Sequence, residues 1–399
     1  MKIVITGASG FVGQLLVPRL AKRGIDLLLV GRNQKQMEAL FPDFQTCDYD
    51  QMEALGKGAD ILLHLAVANT NSNLSDAEYQ SVNVDFLMEI AARSRAAGIR
   101  HFINASSIHA LDETNSSVYA RSKRAGIHAL SSLDGIKVHT IYLAAVYGER
   151  WAGKLAILNR LPNSLAGRLF LPIAALKPTL HVDAIVDYLL GPFAVDGQEY
   201  PVILSDDKSD NPFYSGTKRL IDLMFVLLVT VFMGWMMLLV WIAIKLTSSG
   251  PGVFKQVRVG RNTEPFTCYK FRTMKIGTKQ LGTHEVSSAS VTKLGAFLRK
   301  TKIDELPQII NILRNELSLI GPRPCLPNQE ELIGARKHLG VFRIKPGISG
   351  LAQINNIDMS TPELLSRWDA RYIALRGLIP DLSIAAATAT GKGQGDKII

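Results

Sequence analysis

Asp304 and Glu305 stand side by side in "TKIDELPQI" (301–309), with Arg299, Lys300 and Lys302 just before them and Pro307 just after. Adjacent carboxylates can divide the work of nucleophile and helper, or share a metal ion. A carboxylate attacking a phosphate meets like-charge repulsion, so cations must surround it. An ordinary charged helix start, with proline in its first turn, uses the same residue types. The pattern by itself leaves both readings open. More cations follow the same half of the chain: Lys270 and Arg272 in "YKFRTM", and Arg323 in "GPRP", where two prolines fix the backbone around a bidentate phosphate ligand.

A second constellation lies near the start. Tyr119 and Lys123 in "SSVYARSK" are one helical turn apart and share a helix face. An ammonium there lowers the phenol pKa, and the phenol can then exchange a proton with a substrate oxygen during hydride transfer. "INASS" places Ser106 and Ser107 at a strand end, where a hydroxyl can polarise a carbonyl. "ITGASGFVG" sets Gly7, Gly10 and Gly13 between a first strand and a helix, giving a tight turn and free N–H groups for a pyrophosphate. The second strand ends in Gly31-Arg32, where an NAD site commonly carries an acid for the ribose 2′-hydroxyl. Arg32 suits a 2′-phosphate, so NADP(H) is expected, with NAD and a merely solvated arginine as the alternatives.

Positioning these groups requires two different frameworks. "KIVITGA", "DLLLVGR", "ADILLHLAV", "HFINASS" and "KVHTIYLAAVYG" read as strands, with helical patterns such as "VDFLMEIAARSRAAG" between them. That alternation predicts a parallel, doubly wound α/β sheet. A polar, turn-rich stretch places a linker at 206–217. Residues 223–244 then run for 22 residues without a charge, long enough to cross a hydrocarbon core of roughly 30 Å. Beyond 250 the chain is polar, basic and mixed α/β, with "PQIINILRNEL" its clearest helix. The tail at 386–399, ending "GKGQGDKII", reads as disordered.

Charge follows the same division. Residues 1–217 hold 20 Lys+Arg against 22 Asp+Glu, and residues 218–399 hold 25 against 13, so the net charge of +10 belongs to the second part. Such a domain meets phosphates or an anionic membrane surface. Nucleic acid is the rival partner, but no nucleic-acid-binding motif is present. Cys47, Cys268 and Cys325 have no metal-ligand spacing and an odd count, which fits a reducing compartment. No signal peptide is expected, because the first apolar stretch runs into the glycine motif.

The first set of motifs, with "HLAVA" (64–68) and "SVNVDF" (81–86), resembles the extended short-chain dehydrogenases/reductases of the nucleotide-sugar epimerase, dehydratase and ketoreductase branch, over roughly residues 1–205. The resemblance implies a Rossmann-type fold, Ser107, Tyr119 and Lys123 as catalytic residues, and Asp48 as an adenine contact. Dehydratases of this family carry an Asp-Glu pair after the catalytic Ser/Thr. Here Ile108 and His109 follow Ser107, and His109 reads as a wall or surface residue. The domain is also shorter than its relatives in the sugar-binding half. A 4-keto-sugar reductase fits best, with an epimerase or a nucleotide-binding regulatory domain as alternatives.

"KRLIDLMF", "GPGVFKQVRVGRNTEPFTCYKFRTM", "LRKTKIDELPQIINILRNELSLIGPRPCL" and "KPGISGLAQIN" look like the small monotopic phosphoglycosyl transferases, over about 216–375. The resemblance implies transfer of a phospho-sugar from a UDP-sugar to undecaprenyl phosphate, with release of UMP. Asp304 would be the nucleophile, Glu305 would help hold Mg²⁺, and Arg299 matches a phosphate-binding arginine. Lys218, Arg219, Lys245, Lys255 and Arg258 flank the apolar segment on both sides. The positive-inside rule then favours both ends in the cytosol, hence a re-entrant helix over 218–247 broken near Gly234. The family breaks this helix at a proline pair; Gly234-Trp235 stands there instead, and a straight spanning helix is the alternative. Leu351 and Asn356-Ile357 replace a family tryptophan and arginine, which alters the substrate loop. The expected whole is a Rossmann-type domain (1–205), the linker, the membrane helix and a small mixed α/β transferase domain (248–385). It would sit on the cytoplasmic face of the bacterial inner membrane; a homodimer is compatible with both resemblances.

Overall fold

A computed structural model describes residues 1–69, 74–192, 201–278 and 290–393. The chain divides into two compact units, Met1–Phe170 with Pro178–Asp206, and Leu171–Lys177 with Asp207–Ile399.

The first unit is built on seven parallel strands. Their order across the sheet is Gln45–Cys47, Asp26–Val30, Lys2–Thr6, Ile61–His64, His101–Ser107, Lys137–Leu143 and Val202–Leu204. Strand side chains alternate between faces, and here both faces are apolar. Ile3, Ile5, Leu27, Leu29, Ile61 and Leu63 enter one core; Val4, Leu28, Val30, Leu62 and Phe102 enter the other. Helices such as Phe11–Lys22 and Phe86–Ala96 pack on these cores, the arrangement that allows an all-parallel sheet. Two short strands were not foreseen. Gln45–Cys47 is only three residues long, and Val202–Leu204 lies just before the expected linker; it pairs with Ile141–Leu143. "KVHTIYLAAVYG" divides into Lys137–Leu143 and Ala145–Tyr147, the latter pairing with Thr179–His181.

In the second unit an antiparallel hairpin, Val253–Val259 with Pro265–Phe271, stands beside a short parallel pair, Ser318–Ile320 with Gly347–Ser349. Helices Lys293–Lys300, Glu330–His338, Pro362–Leu375 and Leu378–Ala389 complete it. The last of these extends into the stretch expected as a tail; residues 394–399 of that stretch lie outside the described residues.

Two expectations are corrected by the segment Pro212–Thr247. It is one helix of 36 residues, about 54 Å at ~1.5 Å per residue. It begins inside the expected linker because Asn211 Oδ1 accepts from the Tyr214 amide at 3.0 Å and Pro212 fills the first turn. It also passes through Gly234 without the expected break. A Cβ at Gly234 would meet nothing within 4 Å, so no close packing there requires glycine. The physical reason for continuity is a stripe on the other side: Asp222, Val226, Val229, Met233, Met237, Val240 and Ile244 follow spacings of three and four. The apolar members pack on Ile309, Ile312 and Leu317, then on Phe271 and Leu298. Asp222 Oδ1 accepts from Ser318 Oγ and the Leu319 amide. The opposite face leaves Leu227, Leu228, Val231, Phe232, Trp235 and Leu238 exposed.

Candidate functional site

The acid pair sits on a 3₁₀ turn, Ile303–Gln308, instead of an α-helix start. Lys302 ends the preceding helix in the left-handed conformation (φ 56°), and the Glu305 amide then donates to the Lys302 carbonyl. Pro307 lies within this turn, and the α-helix that follows spans only Ile309–Leu313. A helix dipole therefore contributes little; the field at the pair comes from side chains.

Those side chains treat the two carboxylates differently. Lys270 Nζ and Arg323 Nη2 both donate to Glu305 Oε1, at 2.6 and 3.1 Å. Burial alone would raise the Glu305 pKa, but Lys270 and Arg323 hold it well below the usual carboxylate range. Asp304 is 8% exposed and makes no hydrogen bond or ion pair among the described residues. Burial raises its pKa to about 6, Lys270 works against this, and Glu305 adds to it. The result is an enclosed, ionisable and unengaged carboxylate beside one whose Oε1 is already held by two cations. Both open onto a cavity of about 1720 Å³. Lys270, Arg299, Lys302 and Arg323 line its polar side; Phe225, Ile348, Leu382 and Ala386 contribute to its apolar side.

The remaining basic residues take distinct positions. Arg299 Nε donates to Thr273 Oγ1 at 3.0 Å, while its Nη1 is buried without a partner among the described residues. Arg272, expected as a phosphate ligand, has its terminal nitrogens on the Ser248 and Ser249 carbonyls and Ser248 Oγ, at 2.6–2.9 Å. It caps the end of the long helix. Orphan carbonyls at a helix end attract such a cation.

In the first unit Gly7 has φ +73° and Gly10 opens the helix Phe11–Lys22 with no side-chain cap, leaving its first amides available. A Cβ at Gly7 would lie 2.5 Å from the Ala66 nitrogen, and one at Gly13 would lie 2.4 Å from the Ala8 oxygen. At Gly10 the nearest atom would be 3.2 Å away, so close packing imposes glycine chiefly at the other two. Arg32 is exposed at the end of its strand. Asp48 Oδ1 accepts from the Asp50 and Gln51 amides at 3.0 and 2.9 Å, which fixes the turn after the strand Gln45–Cys47.

Of the expected Ser107, Tyr119 and Lys123, the first two meet directly. The Tyr119 and Ser107 hydroxyls are hydrogen-bonded. Lys123 Nζ is buried, with the Ala105 carbonyl as acceptor at 3.4 Å. The phenol shifts in the direction opposite to the one expected: burial raises the Tyr119 pKa, and the hydrogen bond with Ser107 partly offsets this. The lysine bears the larger shift, with burial lowering its pKa to about 7. Asn83 was missed by sequence reasoning. It sits on a π-helical bulge, Ser81–Asp85, accepts from the Ala68 amide and donates to Ser122 Oγ, joining the loop after His64 to the Tyr119 helix. Its signal was available in "SVNVDF".

A parallel sheet with a glycine cradle and a Ser–Tyr–Lys set, and separately a cationic cavity around two unequal carboxylates, define a two-unit α/β protein with a nucleotide-type site in one unit and an acid-pair site in the other. Residues 213–392 match the family described as bacterial sugar transferase, and residues 3–173 match the NAD dependent epimerase/dehydratase family. An uncharacterised sugar transferase of Bacillus subtilis is 37% identical over 174 residues, 43% of this chain and 84% of that protein. A UDP-glucose:undecaprenyl-phosphate glucose-1-phosphate transferase of Caulobacter vibrioides is 35% identical over 43% of this chain and 67% of that protein. Its counterpart in Escherichia coli is 36% identical, but only 33% of its length is spanned. A solved UDP-glucuronic acid 4-epimerase of Bacillus cereus is similar to 51% of this chain and 77% of its own, at 18% identity and a TM-score of 0.41. The chain belongs to the bacterial sugar transferase family, and it carries an NAD dependent epimerase/dehydratase family domain ahead of the transferase domain.

Proposed function

We propose that the second unit transfers a phospho-sugar from a UDP-sugar to undecaprenyl phosphate. The observation that carries this reading is the unengaged Asp304 carboxylate beside a Glu305 neutralised by Lys270 and Arg323. Asp304 attacks the sugar-bearing β-phosphorus; the bond to the bridging oxygen breaks, and UMP leaves with that electron pair. The polyprenol phosphate oxygen then attacks the aspartyl-phosphate sugar and restores the carboxylate. Lys270, Arg299 and Arg323 offset the charge that builds on phosphate oxygens. Among the described residues no cluster of three or more His, Cys, Asp or Glu could hold a metal. The donor set that fits Mg²⁺ is Asp304 and Glu305 completed by substrate oxygens. Such an ion would neutralise diphosphate charge. Replacing Asp304 with Asn is expected to abolish UMP release, and persistent release would overturn the assignment.

The first unit is proposed to reduce a UDP-4-keto-6-deoxy-N-acetylhexosamine, supplying the product to the transferase. A bound nicotinamide would supply the hydride. Lys123 supports the fit, since a buried ammonium with one distant acceptor keeps hydrogens to donate to ribose hydroxyls. Tyr119 gives its proton to the keto oxygen, Ser107 holds that oxygen in place, and Arg32 favours NADP(H). The family description keeps an epimerase as a second reading. NADPH oxidation with a panel of UDP-keto-sugars separates the two.

The packing of one stripe of this helix on its own unit, in place of the expected break, supports a monotopic arrangement at the cytoplasmic face of the inner membrane. Because its stripe from Asp222 to Ile244 is spent on its own unit, the exposed Phe232 and Trp235 face meets lipid from one side.

A further inference from the structure

Arg258 lies on the hairpin strand Val253–Val259 and lines the same cavity as the acid pair. Its Nε and Nη2 both donate to Gln256 Oε1, at 3.0 and 2.7 Å, and Nη1 donates to the Pro324 carbonyl at 3.0 Å. Both partners are neutral. Among the described residues no carboxylate lies within ion-pair distance of it.

Its neighbours differ in this respect. Lys270 and Arg323 share Glu305. Arg336, also buried, is matched by Asp369, with Nε and Nη2 on Oδ2 at 2.9 and 2.7 Å. Unlike these three, Arg258 makes its hydrogen bonds only to neutral partners, with no carboxylate among them. Burial and then Arg323 weaken its hold on a proton, as expected for a cation crowded by a cation.

Its backbone partner belongs to a tightly held segment. The Pro322 carbonyl accepts from the Gly347 amide, Arg323 from Arg336 Nη1, Pro324 from Arg258 Nη1 and Cys325 from the Val259 amide. Three elements, the strands Val253–Val259 and Gly347–Ser349 and the helix Glu330–His338, thus fix four successive carbonyls. The side chain they carry between them, Arg323, donates to Glu305.

We propose that Arg258 is a further anion-binding residue of this site, pre-set beside the Arg323 segment so that the diphosphate of the donor supplies its missing counter-charge. The proposal deepens the transferase reading and rests on it. Guanidinium held by neutral partners is already oriented, so an arriving diphosphate gains its charge without an existing ion pair having to break.

The test uses the full chain in detergent with Mg²⁺, titrated calorimetrically with UDP and with uridine. R258Q is expected to lose about tenfold or more in UDP affinity, the worth of one charge-assisted contact. Uridine affinity should be unchanged and the melting temperature close to wild type. R258K, which keeps the charge, should stay within about threefold of wild type for UDP. If R258Q does not fold, R258K decides: a loss of tenfold or more overturns the proposal. UDP affinity unchanged in R258Q, or equal losses for UDP and uridine, also overturns it, the latter by reducing Arg258 to a scaffold. A wild-type chain that binds no UDP removes the transferase reading and this inference together.

Discussion

Lys123 and Glu305 are both buried charges at the heart of a candidate site, and their surroundings are opposite. Lys123 has one carbonyl acceptor at 3.4 Å, and burial lowers its pKa to about 7. Glu305 is gripped by two cations and stays ionised far below neutrality. At its candidate site the first unit therefore presents a buried cation, Lys123, with a single distant carbonyl acceptor. The second presents a network of charges already balanced, with Asp304 held outside that balance. A hydride acceptor oxygen needs a proton and an orienting group, so low charge suffices. Two phosphate groups meeting at one carboxylate need charge fixed in advance.

This contrast can be broken from either side. The largest effect is expected at Lys270. Lys270→Met leaves Glu305 with Arg323 alone and should lower the rate of UMP release by roughly 10²-fold. NADPH oxidation by the same protein should be unchanged; a common loss would mean that the two chemistries are not separable.

Lys123 gives the next effect, and its sign is opposite for stability and activity. Its folded pKa of about 7 lies below the ordinary 10.5, so the unfolded chain binds more protons between those values. Stability of the first unit should therefore rise with pH from about 7 to about 10.5 and lie flat below. Lys123→Met should remove that slope and stabilise the unit by about 2 kcal/mol at pH 7, while abolishing turnover. Calorimetry of wild type and variant across pH measures the difference, and an unchanged slope would contradict the burial of an uncompensated ammonium.

Arg32 carries the smallest expected change. Arg32→Asp should shift the NADPH-to-NADH preference by about tenfold towards NADH, read from initial rates with each nucleotide. Equal preference in wild type and variant would leave Arg32 as a solvated loop residue.

Much of this was legible in the sequence where function depends on neighbours along the chain. The glycine turn, the Tyr119–Lys123 spacing and the acid pair all declare themselves within a few residues. Arg323 did so through its flanking prolines. What was illegible depends on partners distant in sequence. Nothing in "YKFRTM" says that Arg272 turns to Ser248 and Ser249 while Lys270 turns to Glu305. The sign of the Tyr119 shift needed the burial of the ring, which helix spacing does not give. The unbroken helix could be read only by asking what its stripe packs on. An apolar run of 22 residues hides a stripe that alternates by three and four, because the exposed face is equally apolar.

The central claim is that Asp304 becomes covalently bound to the phospho-sugar. Mixing the full chain with a panel of UDP-sugars, without polyprenol phosphate, and digesting it for mass spectrometry tests this directly. A sugar phosphate on the peptide carrying Asp304, with about one equivalent of UMP released per chain and neither seen for Asp304→Asn, is the result expected. UMP release that requires the polyprenol phosphate and leaves Asp304 unmodified would contradict the account.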